Sequence, residues 1–348
     1  MPDRPPIINV LIVDDSLLFR MRLESAINEE PRLHVVGTAG NAAEAMQKIE
    51  QLKPDVISLD VEMPQMSGIE FLKKLLPRHP LPVIVVSSRP ESALDALEAG
   101  ALDFEKKPEV KTPDDLKRFF HTLQSKIIAI AGSKVRGPRV ISATRSLAIP
   151  FAAMPAGSKA VIAIGASTGG TEAIINVVKD LPPTTPGIVI VQHMPAGFTK
   201  LYAERLNRVC LMSAKEAVDG DRVEAGKIIV GAGDFHLTLK RDGRGYFVRS
   251  QKGAKVSGHC PSVDVLFKSA AEEAGADCIG VILTGMGADG ANGIKQLKDT
   301  GAFTIGQDQE SCVVYGMPME AYKRGGISRQ LPLSRIGQEI ITQLSKRR

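Results

Sequence analysis

The chain has 348 residues, 43% of them hydrophobic and none of them tryptophan, with a formal net charge of +5. That length can bury two ordinary cores, so two domains are the starting expectation. The charge does not argue for nucleic acid: Lys126, Lys134, Arg136, Arg139, Arg145 and Lys159 fall in one stretch without an acidic residue, and the rest of the chain carries −1. A nucleic-acid-binding domain shows its basic residues on a folded face with readout side chains, whereas this charge sits in a linker.

The opening MPDRPPIINVLIVDDS has a short apolar run followed by two aspartates, too short and wrongly flanked for a signal peptide. Later apolar stretches (VIAIGA, GIVIV, CIGVIL) are strand-sized, far below the roughly 20 residues of a spanning helix. A cytoplasmic protein without membrane insertion is expected. Cys210, Cys260, Cys278 and Cys312 form no C-x-x-C pair and have no histidine at zinc spacing, so they read as small buried residues.

Two stretches alternate short β-branched runs with amphipathic helical patterns, the mark of an α/β fold with parallel sheets. In the first, strands are expected at INVLIVD (8–14), HVVGTA (34–39), VISLD (56–60), VIVVSS (83–88) and LDFEK (102–106). Helices begin near Ser16, Asn41, Gly68, Glu91 and Pro113. A stretch rich in Gly, Ser, Pro and Arg follows, without sustained periodicity, and reads as a flexible linker. In the second half, AVIAIGA, GIVIVQH, KIIVGA, CIGVILT and AFTIGQ read as strands, with helices after Gly169, Phe198, Pro261 and Gly290. The expected division is a domain over 1–124, a basic linker over 125–156 and a second domain over 157–348.

In an open parallel sheet, ligands gather outside the carboxyl ends of the strands. Asp14 and Asp15 end the first strand, Asp60 the third, Ser87 the fourth, and Lys107 follows the fifth. Three carboxylates converging in one crevice repel each other unless a hard cation such as Mg²⁺ neutralises them, and a lysine and a hydroxyl opposite would hold phosphoryl oxygens. Taken singly, Asp15 or Ser16 is an ordinary helix cap and Asp60 a turn residue. The five together resemble the two-component receiver domain, and DVEMPQMSG matches the loop after that family's phospho-accepting aspartate. The resemblance implies a flavodoxin-like, CheY-like five-stranded sheet and makes Asp60 the phospho-acceptor. It puts Asp14, Asp15, Asp60 and the Glu62 carbonyl around Mg²⁺, with Ser87, Phe104 and Lys107 as the switch hydroxyl, aromatic and cation. Lys106 doubles the candidate cation, and counting from Phe104 favours Lys107.

The second half offers a nucleophile, a base and an acid at strand ends. KAVIAIGASTGGTEAII runs strand, Gly-rich turn, helix, with Ser167 at the turn in a G-x-S-x-G pattern. GIVIVQHMPAGF ends a strand at His193, and CIGVILTGMGADGANGI carries Asp289. A serine hydroxyl needs a histidine to take its proton and a carboxylate to fix the imidazole tautomer. Each residue also has an ordinary role as cap, strand-end histidine or turn residue, and the order Ser, His, Asp departs from the α/β-hydrolase order. Two glycine loops point to phosphates instead. Gly165 to Thr171 nearly matches a Walker A loop but lacks its lysine, and Gly285, Gly287 and Gly290 spell a dinucleotide fingerprint on a late strand instead of opening the domain.

Five longer motifs, IGASTGG, VQHMPAGFT, GHCPSVDVLF, LTGMGADGA and QDQESCVVYGMPMEA, resemble the CheB methylesterase family over 158–348. Receiver, linker and this domain in that order match the family over the whole chain. The resemblance implies a doubly wound α/β catalytic domain with Ser167, His193 and Asp289 as the triad and Thr168 and Met286 lining the oxyanion site. It also implies hydrolysis of glutamyl methyl esters on methyl-accepting chemotaxis receptors, with deamidation of receptor glutamines, in chemotactic adaptation. A chemotaxis histidine kinase would be the phosphodonor, Mg²⁺ the receiver's cofactor, the esterase reaction would need none, and the chain would be a monomer.

Overall fold

The structure is a computed structural model that describes residues 6–109, 112–133 and 159–347. The chain divides into two compact units, one within residues 1–142 and one within 143–348. No helix among the described residues is long and apolar enough to cross a membrane.

In the first unit, β1 (Ile8–Val13), β2 (Leu33–Ala39), β3 (Val56–Asp60), β4 (Val83–Ser87) and β5 (Asp103–Lys106) form one sheet. Its order is β2-β1-β3-β4-β5, with every pair parallel. β3 and β4 are buried at every position, as expected of central strands covered on both faces. The helices are α1 (Leu17–Glu29), α2 (Ala42–Leu52), α3 (Gly68–Leu75), α4 (Pro90–Glu98) and α5 (Pro113–Ile130). Their starts are written locally. Ser16 and Asn41 accept from backbone N–H groups of the first turn, and Ser67 and Glu70 form a reciprocal capping box.

α5 runs to Ile130, past residue 124, the expected end of the first domain. Leu123, Ile127 and Ile130 are fully buried and continue its apolar stripe. Lys126, counted above with the linker's basic residues, is ion-paired to Glu105 at 2.9 Å and Asp103 at 3.6 Å on β5. Residues 134–156 of the expected linker lie outside the described residues.

The second unit is built on a seven-stranded, all-parallel sheet of order β14-β13-β12-β6-β7-β9-β8. Its strands are β6 (Val161–Ala166), β7 (Ile188–Gln192), β8 (Ser213–Glu216), β9 (Lys227–Val230), β12 (Cys278–Ile282), β13 (Phe303–Gln307) and β14 (Arg329–Leu331). The four anticipated helices are α6 (Gly170–Val178), α7 (Phe198–Val209), α8 (Val263–Glu273) and α9 (Ala291–Asp299). The motifs did not announce β8, β14, α10 (Met317–Lys323), α11 (Leu333–Ser345) or an antiparallel hairpin of β10 (His236–Asp242) and β11 (Gly245–Gln251). β8 is a polar, half-exposed edge strand and β14 has three residues, so neither shows an apolar run.

The hairpin alternates buried and accessible residues. Leu237, Leu239, Tyr246 and Val248 enter one core cluster with Val263, Leu266, Phe267 and Ala270 of α8 and with Val161, Val189 and Val191 of the sheet. α8 is therefore held between sheet and hairpin, and its N-terminus is fixed where the catalytic candidates lie. Phe267 is fully buried there. Phe267→Ala is expected to lower the unfolding free energy of this unit by about 3–5 kcal/mol, read as a lower urea midpoint at unchanged slope.

Candidate active site

The sheet order reverses between β6 and its neighbour β12, and that is where a doubly wound sheet opens a crevice at its carboxyl edge. Ser167 is the first residue after β6 and His193 the first after β7. Asp289 lies in the loop from β12 to α9. Backbone bonds tie these loops together. Ser167 N–H donates to the Thr284 carbonyl at 3.0 Å, and His193 N–H to the Ala166 carbonyl at 3.2 Å. The Gln192 side-chain amide donates to the Ser167 carbonyl at 2.9 Å.

The turn at Ser167 needs its glycines. Gly169 has φ +74°, and a Cβ there would lie 2.6 Å from Val313. A Cβ on Gly285 would lie 2.7 Å from the Cβ of Ser167, which shows how closely the β12 loop passes the serine. The G-x-G-x-x-G run of residues 285–290 thus has a packing reason beside Ser167, and Gly290, φ +90°, caps α9.

Asp289 is the most heavily bonded of the three. It is buried, and its Oδ2 lies 2.8 Å from His193 Nε2. It also accepts from Ser262 Oγ at 2.7 Å, Val263 N–H at 2.7 Å and Asp264 N–H at 3.1 Å. Ser262 is the N-cap of α8, so the carboxylate sits on orphan N–H groups at the positive end of that helix. Burial by itself would raise the Asp289 carboxyl. The His193 hydrogen bond and charge, with Ser262 and Val263, outweigh that and hold it below the usual carboxylate range.

A carboxylate held ionised at Nε2 makes that nitrogen the imidazole's N–H and leaves Nδ1 as the acceptor. His193 Nδ1 is a buried atom with no hydrogen-bond partner. One face of the His193 ring is covered by His259, with centroids 3.7 Å apart and planes within 7°. Thr168, buried, follows the serine and accepts from Thr284 Oγ1 through its carbonyl at 2.9 Å. Met286, half-buried, follows Gly285. The arrangement is equipped for acyl transfer: a hydroxyl at a helix entry, a proton acceptor on the adjacent strand end, and an anion fixing that acceptor's tautomer.

Ser262, Gln192 and His259 were not among the sequence candidates. A serine before an apolar helix pattern is a legible N-cap, which marks Ser262. Nothing local marks Gln192 or His259, whose partners come from other strands.

In the first unit the order reverses between β1 and β3, and Asp14 and Asp60 face each other at that point. Both are buried, whereas Asp15 is exposed. Oxygens of Asp14, Asp15 and Asp60 all lie within 4.8 Å of one another. Lys107 Nζ is 2.5 Å from Asp60 Oδ2 and 2.9 Å from Asp14 Oδ2, which places it, not Lys106, at the carboxylates. Lys106 pairs instead with Glu109 at 3.2 Å.

Burial pushes the Asp60 carboxyl up to about 6, against the pull of Lys107. Three hard oxygen donors whose charge one lysine leaves incompletely balanced fit a small divalent cation such as Mg²⁺. A Cβ on Gly68 would lie 2.8 Å from Val61 Cα, so α3 can start this close to the acceptor loop only with glycine. Glu62 N–H donates to Asp60 Oδ1 at 3.0 Å, and its carboxylate accepts from Ser88 Oγ at 3.2 Å. The buried Ser87 hydroxyl donates to the Arg89 carbonyl at 3.2 Å. Phe104 is buried on β5, with Lys126 Nζ 5.5 Å from its ring centre.

Comparison with known proteins agrees with both halves. Residues 162–340 match the CheB methylesterase family and residues 10–119 the response regulator receiver domain. A protein-glutamate methylesterase/protein-glutamine glutaminase of Syntrophomonas wolfei is 51% identical over 340 residues, covering 97% of this chain and 98% of its own length. The corresponding protein of Syntrophotalea carbinolica is 46% identical over 351 residues, covering 99% of each. The crystal structure of the Thermotoga maritima CheB methylesterase catalytic domain superposes with a TM-score of 0.52 at 40% identity, covering 53% of this chain and 99% of that one. Receiver domain and esterase domain in this order, with such identity over nearly the full length, make this chain a member of the CheB methylesterase family.

Proposed function

We propose that this chain hydrolyses glutamyl methyl esters on methyl-accepting chemoreceptors, and deamidates receptor glutamines, under the control of phosphorylation at Asp60. The observation that carries the reading is the His193 Nε2 to Asp289 Oδ2 contact of 2.8 Å, with Ser167 in the turn between β6 and α6. In the proposed reaction, Ser167 Oγ attacks the ester carbonyl while His193 Nδ1 takes its proton. The tetrahedral oxyanion forms near Thr168 and Met286 at the entry to α6, where helix-end N–H groups favour negative charge. It collapses as His193 returns the proton to departing methanol, leaving an acyl-serine. Water, deprotonated by His193, then releases the glutamate and restores Ser167. A glutamine amide follows the same path and loses ammonia.

In the receiver, Asp60 accepts the phosphoryl group, Lys107 faces the anion, and Ser87 ends the neighbouring strand. Asp14, Asp15 and Asp60, with the Glu62 carbonyl, would hold Mg²⁺. Bound there, the cation offsets carboxylate repulsion and neutralises phosphoryl oxygens. A histidine kinase of the chemoreceptor array is the proposed phosphodonor.

The direct test is methanol release from methylated receptor membranes. Ser167→Ala is expected to lower kcat by on the order of a thousandfold or more while the protein keeps its unfolding midpoint. Near-normal turnover would remove Ser167 as nucleophile. For the receiver, radiolabelled acetyl phosphate with Mg²⁺ should label the wild-type chain and stimulate methanol release. Asp60→Asn should abolish both effects, and chelation of Mg²⁺ should abolish labelling of the wild type. Persistent labelling of the Asp60→Asn chain sinks that assignment.

A further inference from the structure

His193 is held at Nε2 by a single hydrogen bond to Asp289. That bond leaves one motion open. Nε2 lies nearer the axis of the Cβ–Cγ bond than Nδ1 does, so rotation about that bond displaces Nδ1 more than Nε2. The intrinsic preference for this torsion in histidine is broad, so the rotamer itself does not stop the swing. Nδ1 is the atom that must meet the Ser167 proton.

We propose that His259 is a positioning residue for this reaction, its ring fixing the plane of His193 so that Nδ1 stays aimed at the nucleophile. This rests on the esterase reading above. With centroids 3.7 Å apart and planes within 7°, the two rings touch over a whole face. Any tilt of His193 toward that side drives it into His259. When His193 takes the serine proton it becomes a cation lying on an aromatic face, an attraction stronger in the transition state than in the resting enzyme.

His259 is itself braced. Its N–H donates to the Val256 carbonyl at 2.9 Å and its carbonyl accepts from Val256 N–H at 3.0 Å. The two residues between, Ser257 (φ 51°) and Gly258 (φ 83°), both have positive φ, as in the tightest hairpin turns. On β10, His236 Nε2 lies 2.8 Å from the Ala254 carbonyl, which places the proton there and leaves Nδ1 to accept from Ser262 N–H at 3.3 Å. The Asp234 N–H adds a bond to the Cys260 carbonyl at 3.2 Å. The segment from Ala254 to Ser262 is thus pinned at both ends. It delivers a ring to His193 and, three residues later, a hydroxyl to Asp289, so one loop supports both members of the imidazole–carboxylate pair.

The test uses the full-length chain, activated with acetyl phosphate and Mg²⁺ and assayed for methanol release from methylated receptor membranes. His259→Ala and His259→Leu remove the flat face, and Leu keeps most of the volume. Both are expected to lower kcat by about 10- to 100-fold with KM unchanged. His259→Phe restores a flat face without hydrogen-bonding nitrogens and should return kcat to within about threefold of wild type. If the Ala variant loses cooperative unfolding, the Leu and Phe pair decides. Equal kcat for Leu and Phe overturns the proposal, as does a loss that falls on KM instead of kcat. Ser167→Ala is measured alongside. If it retains turnover, the esterase reading fails and takes the proposal with it. If it is inactive while the Leu variant matches wild type, only the role of His259 falls.

Discussion

The Asp289 carboxylate is the point on which the second unit's chemistry depends. It draws together the β12 loop, the imidazole after β7 and the first N–H groups of α8. A buried anion is costly unless its lone pairs are satisfied. Here the N-cap hydroxyl of Ser262, two backbone N–H groups and the imidazole satisfy them. The same bonds keep it ionised and orient His193, so one set of contacts serves both stability and reactivity. The hairpin of β10 and β11 belongs to this design, because it presses α8 onto the sheet and so holds the helix end that receives the carboxylate.

Both units put their chemistry at the same topological place. In the first, the order turns at β1 and β3, where Asp14 follows β1 and Asp60 ends β3. In the second, it turns at β6 and β12, where Ser167 and the Asp289 loop emerge. At such a point the connections leave in opposite directions and open a crevice that no helix covers. The requirements then diverge. The receiver gathers like charges and leaves them incompletely balanced by Lys107, which suits a phosphoryl group and a divalent cation. The esterase gathers one anion and satisfies it fully, which suits a base of fixed tautomer.

Strand ends also explain small differences between expected and observed elements. β7 stops at Gln192 and β12 at Ile282, short of His193 and Thr284. Leaving the ladder frees those residues for bonds between loops. Thr284 shows this well: its N–H donates to Gln307 Oε1 at 2.9 Å and its hydroxyl to the Thr168 carbonyl at 2.9 Å.

The primary structure by itself determined the α/β alternation, the central strands, the capped helix starts and the identity of the polar residues at strand ends. Those features are local: periodicity, N-cap serines and glycine turns need only near neighbours. It also carried Ser167, His193, Asp289 and the aspartates of the receiver, because loop chemistry at the ends of apolar runs is visible without a fold. Only the tertiary structure decided that α5 continues to Ile130 and that Ser262 serves Asp289. It alone stacked His259 on His193, 66 positions apart in the chain. Such pairings join residues distant in sequence through strand order and packing, and no window along the chain contains them.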